Sequence, residues 1–206
     1  MKKKVRIALT VILALVFAVS IGVMIYRNVQ YKEGEETYAE AETLADLPDL
    51  AALPAPTLAP ETEDKTAEEK PVYVDPYADA LRNMDFTALR EVNSDVLGWI
   101  LIPGTVISYP LVQTDNNDYY LTHTWKKWAS AVGAIFLEHQ SSGDLSDFNT
   151  VIYGHRMNNV SMFASLKNYK KQNYWAQHPC VYITDDSGSH KYEIFAAYEI
   201  STAGTT

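Results

Sequence analysis

The residue that invites a chemical reading first is His155. It closes a short apolar run, Thr150 to Tyr153, behind Gly154. A glycine there lets the chain turn sharply, and an imidazole at a strand end is presented on a rigid scaffold, where it can give and take protons. The sequence holds one cysteine, Cys180, in Gln177-His178-Pro179-Cys180-Val181, entering a second apolar run. One thiol excludes an intrachain disulfide. It reads either as a small buried hydrophobe or as a reactive group, burial being the commoner case. A papain-like pairing of Cys180 with His155 is a further reading that a distance decides. The other histidines, His123, His139, His178 and His190, form no H-E-x-x-H and no Cys/His pair at zinc spacing, so no metal and no cofactor is expected. Asp115, Asn116 and Asn117 are turn formers first. Trp99, Trp125, Trp128 and Trp175 read as core or rim aromatics rather than a carbohydrate platform.

The elements that must position these residues follow from charge and hydropathy. The chain has 206 residues with 47% hydrophobic content, 12% aromatic content and a formal net charge of −9. That composition suits a packed domain, and the acidity argues against a nucleic-acid partner, whose phosphates need a basic face. The acidity is local: residues 32–75 carry 13 acidic and 3 basic residues. Before them, residues 7–26 are uncharged and long enough to cross a bilayer as a helix. Lys2, Lys3, Lys4 and Arg6 precede that run and place the N-terminus inside. A cleaved signal peptide with Ala18-Val19-Ser20 as its site is the alternative, but the apolar run continues past it. The organisation expected is therefore a basic cytoplasmic tail at 1–6, a transmembrane anchor at 7–26, an extracytoplasmic acidic, proline-containing linker at 27–75, and a domain over 76–206. Pro48, Pro54, Pro56 and Pro60 argue against a long helix in the linker, which reads as an extended, solvated stalk.

Within the domain, residues 76–92 show near-helical spacing, and the signals then turn to strands. Residues 96–102 and 106–112 flank the turn dipeptide Pro103-Gly104. Residues 132–137 and 150–153 are short strand candidates, 161–169 looks helical, and 181–184 and 191–200 flank the hairpin turn 185–189. Short strands with occasional helices predict a mainly β fold, a barrel or sandwich.

Two blocks carry a family resemblance. Residues 93–121 contain Gly98-Trp99-Ile100, Ile102, Gly104-Thr105, Ile107, Tyr109-Pro110, Val112-Gln113 and Tyr119-Tyr120-Leu121. Residues 147–169 contain Asn149-Thr150, Tyr153-Gly154-His155, Met157, Met162-Phe163 and Leu166. In this order, from about Asn93 onward, the chain resembles the class B sortases. The resemblance implies an incomplete sortase-like β-barrel behind a transmembrane helix and a disordered linker. It also implies a membrane-bound cysteine transpeptidase with its domain outside the cell. In that family a thiolate attacks a sorting-signal peptide, expels an amine and leaves a thioester, which an amine of a peptidoglycan precursor or a pilin resolves. The resemblance makes His155 the catalytic histidine and suggests substrate contacts at Asn116, Tyr120 and Tyr153. The family's T-L-x-T-C-type nucleophile motif and its arginine lie further downstream and are not in this sequence. The resemblance thus implies a domain lacking its C-terminal strands, inactive by itself, with Cys180 a structural thiol and Arg156 a rim or solvated residue. A degenerate, membrane-tethered peptide-binding module is the alternative.

Overall fold

Two strands buried at nearly every position, within residues 96–112, form the centre of one mixed sheet. The computed structural model describes residues 2–54, 56 and 75–200. Strands β1 (Val96–Leu101) and β2 (Ser108–Val112) pair antiparallel around the Pro103-Gly104 turn, as their spacing predicts. Beyond β2, a 113–134 crossover leads to β3 (Ile135–Leu137), parallel to β2, and β3 pairs antiparallel with β4 (Ile152–Tyr153). On the other side, β1 pairs with β5 (Cys180–Asp185), and β5 turns back into β6 (Gly188–Glu193). The order is β4-β3-β2-β1-β5-β6, a half-barrel whose edges among the described residues are β4 and β6. The strand expected over 191–200 ends at Glu193; beyond it Phe195, Tyr198 and Ile200 are exposed.

Short helices cover the sheet ends. Asp75 starts α2 (Pro76–Leu81) by accepting the N–H groups of Tyr77 and Ala78 at 3.0 and 3.1 Å, with Pro76 at the first helical position. Leu81, Phe86 and Leu89, from α2 to α3 (Thr87–Val92), are fully buried, a gain of roughly 1.5–3 kcal/mol for each such side chain. The helical stretch expected over 161–169 is a 3₁₀ segment, Phe163–Lys170, followed by α4 (Gln172–Gln177).

Residues 27–44 depart from the sequence reading. They are not a solvated stalk: α1 runs unbroken from Lys2 to Leu44. Its first half is exposed and apolar, long and hydrophobic enough to cross a membrane. Its second half packs on the domain through Gly34, Thr37, Tyr38, Ala41 and Ala45, a helical face made mostly of small residues. Small residues contribute little hydropathy but allow close approach, so this face carries no strong apolar period. Gly34 shows how close: a Cβ there would come within 2.8 Å of Val132. The helix stops at a left-handed Asp46 (φ 46°), where the N–H of Leu47 reaches the carbonyl of Glu42 and that of Asp46 reaches Thr43. This αL cap, followed by Pro48, is a standard helix terminator. Most of the remaining linker, residues 55 and 57–74, lies outside the described residues.

Candidate active site

His155 follows directly on β4, at the open edge of the sheet. Its backbone carbonyl accepts the N–H of Phe163 at 2.9 Å, and Arg156 pairs with Met162, so the 156–162 loop closes on its own stem. Gly154 is needed for space rather than for a sharp turn. Its φ is not in the left-handed region, but a Cβ would lie 2.3 Å from Ile135 Cδ1 and 2.7 Å from Phe163 Cδ2. The packing that excludes a side chain at 154 fixes the backbone from which the imidazole departs.

The imidazole is half-buried and its Nε2 lies 2.7 Å from the carbonyl oxygen of Leu121. A carbonyl only accepts, so Nε2 carries the proton, and Nδ1 is the basic atom of the neutral ring. Among the described residues Nδ1 takes no hydrogen bond. The ring also rests on Gly133, where a Cβ would meet His155 Cδ2 at 2.9 Å and the Tyr120 carbonyl at 2.7 Å; Gly133 itself holds φ +64°, which a side chain would strain. A histidine with one nitrogen anchored to the backbone and the other free is arranged to shuttle a proton.

A cleft of about 540 Å³ opens beside this strand end, with Gly154, Phe163 and Leu166 among its apolar lining and Arg156 and Lys170 on its rim. Both cations are held by Glu199, at 2.8 and 2.6 Å. Those bonds and the two charges hold the Glu199 carboxyl below its ordinary range. Arg156 is thus engaged in an exposed ion pair.

The other predicted residues divide sharply. Tyr153 is partly exposed on the β4 edge, its ring 5.3 Å from that of Phe136. Asn116 is exposed, and its Oδ1 accepts the N–H groups of Asp118 and Tyr119, which caps the turn at 119–121. Tyr120 does not fit a substrate contact. It is fully buried, donates to Asp95 at 2.7 Å and accepts from Asn93 at 2.8 Å. Burial, opposed by the Asn93 hydrogen bond and reinforced by Asp95, pushes its phenol far above 10. The sequence reading missed Leu121, whose carbonyl anchors the imidazole, and Gly133. The only sequence signal for Gly133 was a glycine inside the strand candidate 132–137.

Cys180 is fully buried at the start of β5, with β1, β2 and β3 between it and β4 in the sheet order. Burial raises its thiol above the ordinary value; Lys191 opposes this, while Glu193 and Asp75 add to it. A protonated, buried thiol is a poor nucleophile, and the groups that act on it are Lys191, Glu193 and Asp75, not His155, which removes the papain-like pairing. The four other histidines have local partners: Tyr119 O for His123, Glu138 for His139, Pro103 O for His178 and Ser187 for His190. Among the described residues no group of three or more His, Cys, Asp or Glu side chains could hold a metal ion.

A half-barrel of this strand order, with a histidine at the β4 exit, defines a sortase-type domain. A family model for the sortase domain matches residues 100–206, and the chain belongs to the sortase family, in its class B. Sortase B of Listeria monocytogenes is 39% identical over 114 residues, which are 55% of this chain and 46% of that protein. Sortase B from B. anthracis in complex with AAEK1 superposes with a TM-score of 0.61 at 27% identity, over 86% of this chain and 75% of that one. A Staphylococcus aureus sortase B–substrate complex matches with a TM-score of 0.55 at 30% identity, over 57% of this chain and 54% of that one. The chain spans about half the length of the curated relatives it matches.

Proposed function

We propose that this chain carries the histidine half of a membrane-tethered cysteine transpeptidase. In this reading it cleaves sorting-signal peptides of secreted proteins and passes the acyl group to an amine of a peptidoglycan precursor or a pilin. The observation that carries the reading is the state of His155: Nε2–H tied to Leu121 and Nδ1 unengaged among the described residues, on the β4 edge. In the first half-reaction a thiolate sulfur bonds to the peptide carbonyl carbon, the C–N bond breaks, and the departing amine takes a proton from imidazolium Nδ1. In the second, Nδ1 removes a proton from the incoming amine as its nitrogen displaces the sulfur. Family membership supports this chemistry, as does the existence of a substrate complex for a class B relative.

Cys180 is not that sulfur, because it is buried and its thiol is pushed up. The proposal therefore needs a cysteine outside residues 1–206. Tyr153, partly exposed beside His155, is the substrate contact retained from the sequence reading; Asn116 stays a weaker candidate because its side chain already caps a turn. Residues 7–26 serve as the membrane anchor, with the domain on the outer face.

The test uses the intact protein from its complete reading frame and a sorting-signal peptide. His155→Ala should lower turnover by about 10²- to 10⁴-fold, the usual worth of a general acid–base; unchanged turnover ends the reading. The burial of Cys180 favours one competing reading, a tethered peptide-binding module without catalysis. Saturable peptide binding by the intact protein with no thioester trapped would establish the module instead.

A further inference from the structure

We propose that Tyr38, on the domain-docked half of α1, is a positioning residue for His155. The helix that leaves the apolar N-terminal run would then hold the candidate catalytic imidazole in place.

Two short routes connect the residues. Along the first, the buried Tyr38 hydroxyl donates to the carbonyl of Gly133 at 2.5 Å, and the His155 ring lies against Gly133. The same loop supplies the Leu121 carbonyl that binds Nε2, and the N–H of Ala134 donates to the carbonyl of Tyr120, tying the two sides of that seat together. Along the second, the Tyr38 ring meets Tyr109 edge-on with centroids 5.2 Å apart, and the Tyr109 hydroxyl accepts the N–H of Met162. Met162 pairs with Arg156, and its neighbour Phe163 donates to the His155 carbonyl. Tyr38 therefore touches the surface under the imidazole directly and reaches the loop that closes its backbone through Tyr109.

This second route runs through backbone that needs support. Val160 and Met162 hold φ of 64° and 53°, unfavourable for side-chain-bearing residues and worst for a β-branched one. Asn159, beside Val160, donates to Glu35 of α1 at 2.7 Å, so the helix also holds this loop directly. Thr37 ties the helix to the other side of the seat, its carbonyl accepting the indole N–H of Trp125 at 2.8 Å within the 120–134 segment. Burial pushes the Tyr38 phenol well above 10, against a smaller opposing hydrogen bond from the Trp125 backbone, so it remains a donor at any physiological pH.

The functional meaning rests on His155 being the catalytic imidazole; the coupling itself does not. The test therefore reads the imidazole directly, by long-range ¹H–¹⁵N spectra of the full chain in detergent micelles, with His155→Gln assigning the signals. Tyr38→Phe should move the His155 ring resonances and speed solvent exchange of its Nε2–H about fivefold, the factor that one ordinary buried hydrogen bond brings. Lys126→Ala removes the ion pair to Glu40 between the same helix and loop, without touching Gly133 or Tyr109, and should leave them in place. Gly133→Ala should shift the same resonances. Should Tyr38→Phe not fold, 3-fluorotyrosine at position 38, a stronger donor of nearly the same shape, must move them. Unmoved His155 signals in a folded Tyr38 variant, or equal movement in Lys126→Ala, overturn the proposal. Turnover surviving His155→Ala while Tyr38→Phe still moves the signals would refute the catalytic reading alone.

Discussion

The β4 exit and the β5 entry each present a residue type capable of catalysis, and the same sheet treats them in opposite ways. At the β4 exit His155 sits on an edge, one nitrogen fixed by Leu121 and the other unengaged among the described residues. At the β5 entry Cys180 lies beneath side chains, its thiol raised by burial, beside a knot in which Asp75 accepts from Lys191 at 2.8 Å and from Tyr182 at 2.9 Å. Edge against interior decides the difference. A proton shuttle, the role proposed for His155, must exchange with substrate, and a packing residue must not.

That contrast can be broken at its strongest point. In the intact protein His155→Ala should remove most turnover, while Cys180→Ala should leave it within about threefold, since a buried thiol replaced by a methyl loses packing and no chemistry. A Cys180→Ala loss comparable to that of His155→Ala would erase the distinction. The same asymmetry appears in labelling of the 206-residue chain. Thiol reagent at neutral pH should modify native Cys180 at least about a hundredfold more slowly than the unfolded chain, because burial removes both access and thiolate. With a sorting-signal peptide this chain should form no thioester; a thioester abolished by Cys180→Ala would reverse the assignment.

Next in size is a test of the scaffold under His155. Gly154→Ala forces a methyl against Ile135 and Phe163, and overpacking of this kind costs roughly 1–3 kcal/mol. A denaturant midpoint unchanged from the parent would show that the β4 exit is looser than its packing indicates.

How much of this was legible in the sequence depends on what each element is made of. Strands β1 and β2 were readable because their large apolar residues flank a Pro-Gly turn, and β5–β6 because Asp-Ser-Gly marks a hairpin. The place of His155 just past a short strand was readable from the apolar run and the glycine before it. The docked half of α1 was not, since its contact face is Gly34, Thr37, Ala41 and Ala45 and its exposed face is acidic; composition there imitates a stalk. Tyr120 misled for the opposite reason. It stands in a motif that resembles a family segment, and no feature of that motif reveals that Asn93 and Asp95, distant in sequence, hold its hydroxyl inside. The seat of the imidazole was hidden because a backbone carbonyl, Leu121, provides it, and a carbonyl has no residue type.

The smallest predicted effect concerns the Cys180 side and has a defined sign. Burial works to raise the Asp75 carboxyl, but hydrogen bonds from Lys191, the Ala78 N–H and Tyr182, with the Lys191 charge, outweigh it, so its pKa falls below the ordinary 3.8. A carboxyl depressed in the folded state binds protons less readily there than in the unfolded chain. Its contribution is complete above the unfolded value and disappears as pH falls below about 3.8 through the folded one. Asp75→Asn should therefore cost on the order of 1–3 kcal/mol at pH 7, leaving Lys191 without its carboxylate, and the deficit relative to the parent should shrink as the parent is acidified. Paired denaturation curves at pH 7 and pH 3 measure it. A deficit that stays constant or grows toward pH 3 would mean that Asp75 acts here only as the helix cap, and that the knot beneath Cys180 draws no stability from its charge.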